Sequence, residues 1–169
     1  MNLRDARETD LPAIVEIYNA AIPSRLATAD TEPVSVESRL NWFRDRVFTS
    51  RPIWVMEWDG SIVGWLSFGS FYGRPAYNAT AELGIYVAPN YRRLGIGRQL
   101  LESAIRHCPA LGINTLLGFI FAHNQASLRL FEEFGFQRWG YLPGVANLDG
   151  VERDVEIVGK RIGAEQKVF

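Results

Sequence analysis

Residues Tyr86 to Arg98 constrain this chain more than any other stretch. They read Tyr86-Val87-Ala88-Pro89-Asn90-Tyr91-Arg92-Arg93-Leu94-Gly95-Ile96-Gly97-Arg98. An apolar, strand-like run stops at a proline turn, arginines and two alternate glycines follow, and an amphipathic helical pattern then begins. A strand, a glycine turn and a helix in that order can present bare backbone N–H groups at a helix N-terminus, where the dipole is positive. Such a corner suits a pyrophosphate, and it belongs in a sheet with helices packed on it.

Two familiar owners of such a corner fail on spacing. A dinucleotide fingerprint needs a third glycine where Leu100 stands, and a P-loop needs Gly-Lys-Ser or Gly-Lys-Thr where Gly97 is followed by Arg98-Gln99. What remains is Arg-x-x-Gly-x-Gly, from Arg92 to Gly97, between a strand and a helix. This segment resembles the coenzyme A signature of the GNAT acetyltransferases, usually Gln/Arg-x-x-Gly-x-Gly/Ala. The resemblance implies that acetyl-CoA is the cosubstrate, held by Ile85, Tyr86, Val87, Arg92, Arg93, Leu94, Gly95, Ile96, Gly97 and Arg98. Backbone N–H groups around Ile85 to Val87 are suited to polarise a thioester carbonyl, a role that needs no particular side chain.

The rest of the chain is consistent with that corner. Asn2 to Ala6 reads as a strand, and Thr9 or Asp10 can cap a helix with Pro12 in its first turn. Leu11, Ile14, Val15, Tyr18, Ala21 and Ile22 share one helical face. The pattern predicts a second helix over Val36 to Phe48 that buries Leu40, Phe43 and Val47. Ile53 to Trp58 and Ile62 to Phe71 read as strands joined at Asp59-Gly60, a hairpin signal. Strand Ala79 to Val87, helix Gly95 to His107, strand Asn114 to Phe121 and helix Asn124 to Phe134 follow, with Gly135 as a C-terminal cap. Phe136 to Leu142 and Arg153 to Val158 complete the sheet. The order β-α-α-β-β-β-α-β-α-β-β predicts a mixed α/β fold, and it matches the GNAT fold, a mostly antiparallel central sheet flanked by helices. One domain over residues 1–162 and a frayed tail over 163–169 are expected.

Composition narrows the function classes. In 169 residues, 18 basic and 19 acidic side chains leave a formal net charge of −1, so a general nucleic-acid binder is disfavoured. No apolar run approaches a membrane span, and the first residues lack a signal-peptide core. Cys108 is the lone cysteine, so a reducing cytoplasm is the expected compartment and the thiol reads as packing. His107 and His123 stand far apart without a Cys/His/carboxylate cluster, so no metal is expected.

A second element, His123-Asn124-Gln125-Ala126-Ser127-Leu128 running to Phe134-Gly135-Phe136, resembles the Asn-x-x-Ala…Gly-Phe segment of the same family. There the asparagine bonds to the pantetheine arm. Asn124 also suits a plain helix cap, and the two roles are compatible. Phe71-Tyr72-Gly73-Arg74-Pro75, Thr31-Glu32-Pro33 and Leu142-Pro143-Gly144 resemble the phosphinothricin N-acetyltransferase branch, which acetylates the α-amine of phosphinothricin, methionine sulfoximine and related amino acids. Two departures stand out. Leu148 to Val155 lacks the lysine and tryptophan of the Lys-x-Gly-x-Trp-x-Asp-Val segment, and Phe131 sits where many relatives place a tyrosine acid.

The chemistry follows from what acetyl transfer demands. An ammonium must lose a proton before it attacks, so a base is required. Glu82, in Thr80-Ala81-Glu82-Leu83-Gly84-Ile85, is the candidate, and the branch has its catalytic glutamate at the matching place. Strand alternation puts Glu82 with Gly84 and Tyr86, opposite Leu83, Ile85 and Val87. A salt-bridged strand carboxylate is the plainer reading. Tyr72, Gly73, Arg74, Glu82, Leu83 and Gly84 form the expected substrate site, with Arg74 pairing a carboxylate or phosphinate. Tyr18 and Glu32 can line the amine side, although a core tyrosine and a loop carboxylate are the plainer readings. With Phe131 unable to protonate the thiolate, water, the new ammonium or Tyr141 remain. The expected activity is direct acetyl transfer to a small amino acid by a cytoplasmic enzyme, with a homodimer implied by family resemblance. Transfer to a polyamine, antibiotic or protein N-terminus, or a non-catalytic acyl-CoA sensor, are the alternatives.

Overall fold

The computed structural model describes residues 1–163. Its elements are β1 (Asn2–Asp5), α1 (Leu11–Ala21), α2 (Val36–Arg44), β2 (Ile53–Trp58), β3 (Ser61–Ser70), β4 (Thr80–Val87), α3 (Ile96–His107), β5 (Thr115–Phe121), α4 (Gln125–Glu133), β6 (Gln137–Leu148) and β7 (Val151–Arg161). The strands form one sheet in the order β1-β2-β3-β4-β5-β7-β6, antiparallel at every pairing except β4–β5. The mixed α/β architecture expected from the element order is therefore present. Apart from Gly163, the expected frayed tail lies outside the described residues.

Local chemistry accounts for the elements. Asp59 and Gly60 both take positive φ (48° and 79°), the geometry a two-residue hairpin needs to match strand twist. Asp10 begins α1, but its carboxylate does not cap it. Instead it accepts from Arg7 N–H (2.7 Å) and from the Arg4 guanidinium (2.7 Å), which also reaches Glu57 (2.6 Å). Helix α2 departs from expectation. It stops at Arg44, and the chain then turns back with Arg51 N–H on Val47 O (2.7 Å), so Val47 leaves the buried face and is 60% exposed. The last hairpin is longer than the apolar pattern indicates, because Asp149-Gly150 repeats the positive-φ turn of Asp59-Gly60.

Each sheet face carries its own apolar cluster. Leu66, Phe68, Ala81 and Leu83 pack with Ile96, Leu100, Leu101 and Ala104 of α3 and with Phe131 of α4. Ile53, Val55 and Trp65 pack on the other face with Leu11, Ile14 and Ile17 of α1 and Phe43 of α2. Cys108 is fully buried in the first cluster, its S–H donating to Ala104 O (3.1 Å), and burial pushes the thiol up to about 12. No helix among the described residues is long and apolar enough to cross a membrane.

Candidate active site

The parallel ladder between β4 and β5 ends at Glu82 opposite Leu117, although both strands continue. Beyond that pair β4 remains laddered to β3 and β5 to β7, so the sheet opens between its two central strands. Ala88 N–H donates to Val63 O (2.9 Å), and the β3–β4 register runs without a shift. Strand alternation therefore turns the N–H groups of Glu82, Gly84 and Tyr86 towards β3, and those of Leu83, Ile85 and Val87 into the opening. Of the expected donors, Ile85 and Val87 face the gap and Tyr86 does not.

A cleft of about 1260 Å³ occupies this opening. One half is walled by Arg92, Arg93, Gly95, Ile96, Gly97 and Arg98. Leu94 is half-exposed and does not line it. Gly95 precedes α3 at φ 80°, in the left-handed region that disfavours any residue with a Cβ. No side chain caps α3 and its first turn holds no acid; the first helical bond is Gln99 N–H to Gly95 O (3.0 Å). The N–H groups of Ile96, Gly97 and Arg98 thus have no partner within the helix. Arg98 is spent on an ion pair with Glu133, whereas Arg92 and Arg93 have no acidic partner among the described residues.

Asn124 caps α4 with Oδ1, which accepts Ser127 N–H at 3.2 Å, and its Nδ2 donates to Leu26 O at 3.1 Å. His123 Nε2 lies 2.8 Å from Arg25 O, and the Arg25 guanidinium pairs with Asp149 (2.8 Å). The segment after α1 is thereby clasped across the cleft to α4 and to the β6–β7 turn. Sequence reasoning assigned Asn124 a cap and a cofactor contact but missed this clasp, whose partners are about a hundred residues apart.

The other half of the cleft is aromatic. Trp65 and Tyr86 stack with ring centres 4.6 Å apart, Trp42 meets Trp65 edge-on at 5.8 Å, and Tyr18 lies 5.1 Å from Tyr86. Glu82 enters here, half-buried, on the sheet face shared with Gly84 and Tyr86, while Leu83, Ile85 and Val87 join the α3 cluster. Gly69 stands opposite it, and a Cβ there would lie 3.8 Å from Glu82 Cβ. A Cβ on Gly84 would lie 3.1 Å from Ser67 Oγ. The two bare positions leave room beside the carboxylate. Its side chain has no hydrogen bond or ion pair among the described residues, and burial pushes its carboxyl above the usual range.

Two arginines line this half. Arg39 lies over the Tyr18 ring (5.1 Å) and pairs with Asp30 (3.2 Å), which also accepts from Tyr18 Oη. Arg46 lies over Trp42 (4.9 Å), donates to Trp42 O (3.4 Å) and to Phe68 O, and has no acidic partner among the described residues. Burial, with Arg51 nearby, brings its pKa down to about 10. The sequence analysis missed both. Helical spacing did not mark the Arg46 contact, because α2 ends at Arg44 and Arg46 reaches the Trp42 ring from the turn that follows.

Several expected residues lie elsewhere. Tyr72, Gly73 and Arg74 sit on the exposed β3–β4 loop and do not line the cleft; Tyr72 packs against Phe71 (4.4 Å). Glu32 is exposed and outside it, while Tyr18 does line it. Tyr141 is hydrogen-bonded to Asp154 and is not a lining residue, and Phe131 contributes an apolar wall packed on Phe136 (4.8 Å). No group of three or more metal-ligating side chains forms among the described residues.

Comparison with known proteins gives the family. The chain is 50% identical over 163 residues to the Bacillus subtilis protein named "Putative phosphinothricin acetyltransferase YwnH", covering 96% of this chain and 99% of that one. It is 33% identical over 150 residues to the L-methionine sulfoximine/L-methionine sulfone acetyltransferase of Pseudomonas aeruginosa, covering 88% and 87%. A crystal structure of a GNAT superfamily phosphinothricin acetyltransferase from Sinorhizobium meliloti, in complex with AcCoA, superposes with a TM-score of 0.89 at 28% identity, covering 96% and 88%. The family model for the acetyltransferase (GNAT) family matches residues 12–136, from the start of α1 through both halves of the cleft. The chain belongs to the GNAT acetyltransferase family.

Proposed function

We propose that this protein transfers the acetyl group of acetyl-CoA directly to the α-amine of a small amino acid or toxic analogue of the phosphinothricin or methionine sulfoximine type, with Glu82 as general base. The observation that carries the reading is a half-buried, unpaired carboxylate at the point where β4 and β5 part, with donor N–H groups beyond it and open space beside it.

The donor half fits acetyl-CoA by its own chemistry. Arg92, Arg93 and the first N–H groups of α3 suit a pyrophosphate, and the N–H groups of Ile85 and Val87 suit the pantetheine arm and the acyl carbonyl. When bound, acetyl-CoA supplies an activated thioester. Glu82 takes one proton from the acceptor ammonium, and its raised pKa brings its basicity closer to the task at neutral pH. The neutral amine then forms the C–N bond as the C–S bond breaks, and the proton shed by the acylated nitrogen goes to the departing thiolate. Trp65, Tyr86 and Trp42 form the aromatic wall beside that proton transfer. Direct transfer is the reading because the lone cysteine is fully buried away from the cleft. Tyr72, Gly73 and Arg74, expected as acceptor contacts, lie on the exposed β3–β4 loop outside the cleft, so the acceptor is assigned to the residues that line it. A homodimer in the cytoplasm completes the proposal, and sedimentation velocity checks the oligomer.

Thiol release from acetyl-CoA, measured with phosphinothricin, methionine sulfoximine, methionine sulfone, spermidine and an alanine-initiated peptide, tests the reading. Turnover on the amino acids is the expected result. Turnover only on spermidine or the peptide replaces the acceptor class, and acetyl-CoA binding without turnover on any amine replaces the enzyme with a sensor.

A further inference from the structure

We propose that Arg46 is the acceptor's anchor, its guanidinium taking an oxyanion of the substrate while the amine faces Glu82. The inference rests on the acetyl-transfer reading above and adds the residue that selects for an anionic acceptor.

Charge pairing singles out Arg46. Of the arginines lining the cleft, Arg39 is paired with Asp30 and Arg98 with Glu133, and Arg92 and Arg93 stand at the α3 corner on the donor side. Arg46 lies in the aromatic half, partly withdrawn from water, with no carboxylate to balance it among the described residues. A desolvated cation without a counterion is a standing cost to the fold, which an incoming anion removes. Such a group belongs to a ligand site more readily than to a scaffold.

Its geometry is already fixed for recognition. Two main-chain carbonyls, Trp42 O and Phe68 O, accept from Nε and Nη1, and the Trp42 ring supports the guanidinium plane. Nη2 is left with no partner among the described residues. A planar fork held by stacking loses little freedom when it binds an oxyanion. Phe68 immediately precedes Gly69, the residue opposite Glu82 on the adjoining strand, and neighbouring strands lie about 4.8 Å apart. Arg46 and Glu82 line the same cleft from adjoining parts of the sheet, and a small amino acid is taken to reach from anchor to base within it. By contrast, Arg74 stands exposed on a loop that does not line the cleft.

The test compares wild type, Arg46→Met, Arg46→Lys and Arg74→Ala at saturating acetyl-CoA. Four acceptors separate the possible oxyanions: phosphinothricin, its α-carboxamide, methionine sulfone and its α-carboxamide. We expect Arg46→Met to raise the acceptor KM at least about tenfold, Arg46→Lys to raise it less, and neither to change the KM for acetyl-CoA. Loss on both free acids but neither carboxamide identifies the α-carboxylate. Loss on phosphinothricin and its carboxamide alone identifies the phosphinate. Equal loss on all four, or an acceptor KM within about twofold of wild type, overturns the anchor, as does a loss confined to Arg74→Ala. Thermal unfolding supplies the control, since Arg46→Met also removes the bonds to Trp42 O and Phe68 O; if Arg46→Met does not fold, Arg46→Lys carries the comparison. Should wild type acetylate none of the four, titration by tryptophan fluorescence decides, because Trp42 lies beneath the guanidinium. Binding of the acids that Arg46→Met abolishes keeps the anchor and discards acetyl transfer to these amines. Binding independent of Arg46 discards the anchor.

Discussion

Glu82 is placed in conflict with its own charge. Its side chain is half-buried, meets no cation among the described residues and has its pKa raised by desolvation. In the proposed reaction only the ionised form accepts a proton. Activity should therefore rise with pH through a limb lying above the usual carboxylate range near 4.3. Stability moves the opposite way. A carboxyl whose folded pKa is raised favours the fold most below its unfolded pKa, and that contribution is lost as pH rises through the folded value. Glu82→Gln should then lower kcat by about a hundredfold or more, remove the acid limb from the pH–rate profile and leave acetyl-CoA affinity unchanged. At neutral pH it should unfold no earlier than wild type. Retention of the limb in Glu82→Gln would assign the base elsewhere, and a lower Tm would mark Glu82 as a structural residue.

At the scale of elements, the β4–α3 corner separates two glycines that look alike in sequence. Gly95 takes φ 80°, whereas Gly97 lies within α3, where a Cβ would make ordinary contact with Leu130 (3.6 Å) and Val87 (3.9 Å). Gly95→Ala should destabilise the protein by about 1 kcal/mol and weaken acetyl-CoA binding, because the strained residue starts the turn whose N–H groups face the ligand. Gly97→Ala should retain both stability and binding. Calorimetric affinity beside Tm checks the pair, and an equal loss in both variants would show that ligand clearance, not backbone conformation, sets the spacing. This corner was legible because strand, turn and helix leave local signals. The long final hairpin was partly hidden, since Trp139, Tyr141 and Leu142 interrupt the alternation that marks a half-buried strand. Val47 was misplaced for a related reason: its helical spacing continues past Arg44, where the backbone has already turned.

The molecule as a whole depends on contacts that no local pattern reveals. The opening between β4 and β5 is a property of strand pairing, and the clasp from Arg25 and Leu26 to the α4 end joins distant segments. Residue type could mark Glu82 and the Arg92–Gly97 loop. It could not show that Arg74, expected at the acceptor, stays outside while Arg46 lines the cleft, because the aromatic wall is assembled only by non-local packing. The N-terminal strand is fastened in the same non-local way. Arg4 on β1 spans Asp10 at the start of α1 and Glu57 on β2, tying an edge strand to the elements on either side. Burial alone would raise the Asp10 pKa, but the hydrogen bonds from Arg4 and from Arg7 N–H outweigh it and hold Asp10 below its usual range. Its contribution is therefore complete above the unfolded carboxylate pKa, near 3.9, and is lost as pH falls through the lower folded value. Asp10→Asn should cost about 1–2 kcal/mol at pH 7, and the difference from wild type should shrink steadily below about pH 4. Denaturant unfolding of both proteins across that range measures it. A penalty that persists undiminished at the acid end would mean that shape at the β1–α1 junction, rather than the charge held by Arg4, secures the first strand.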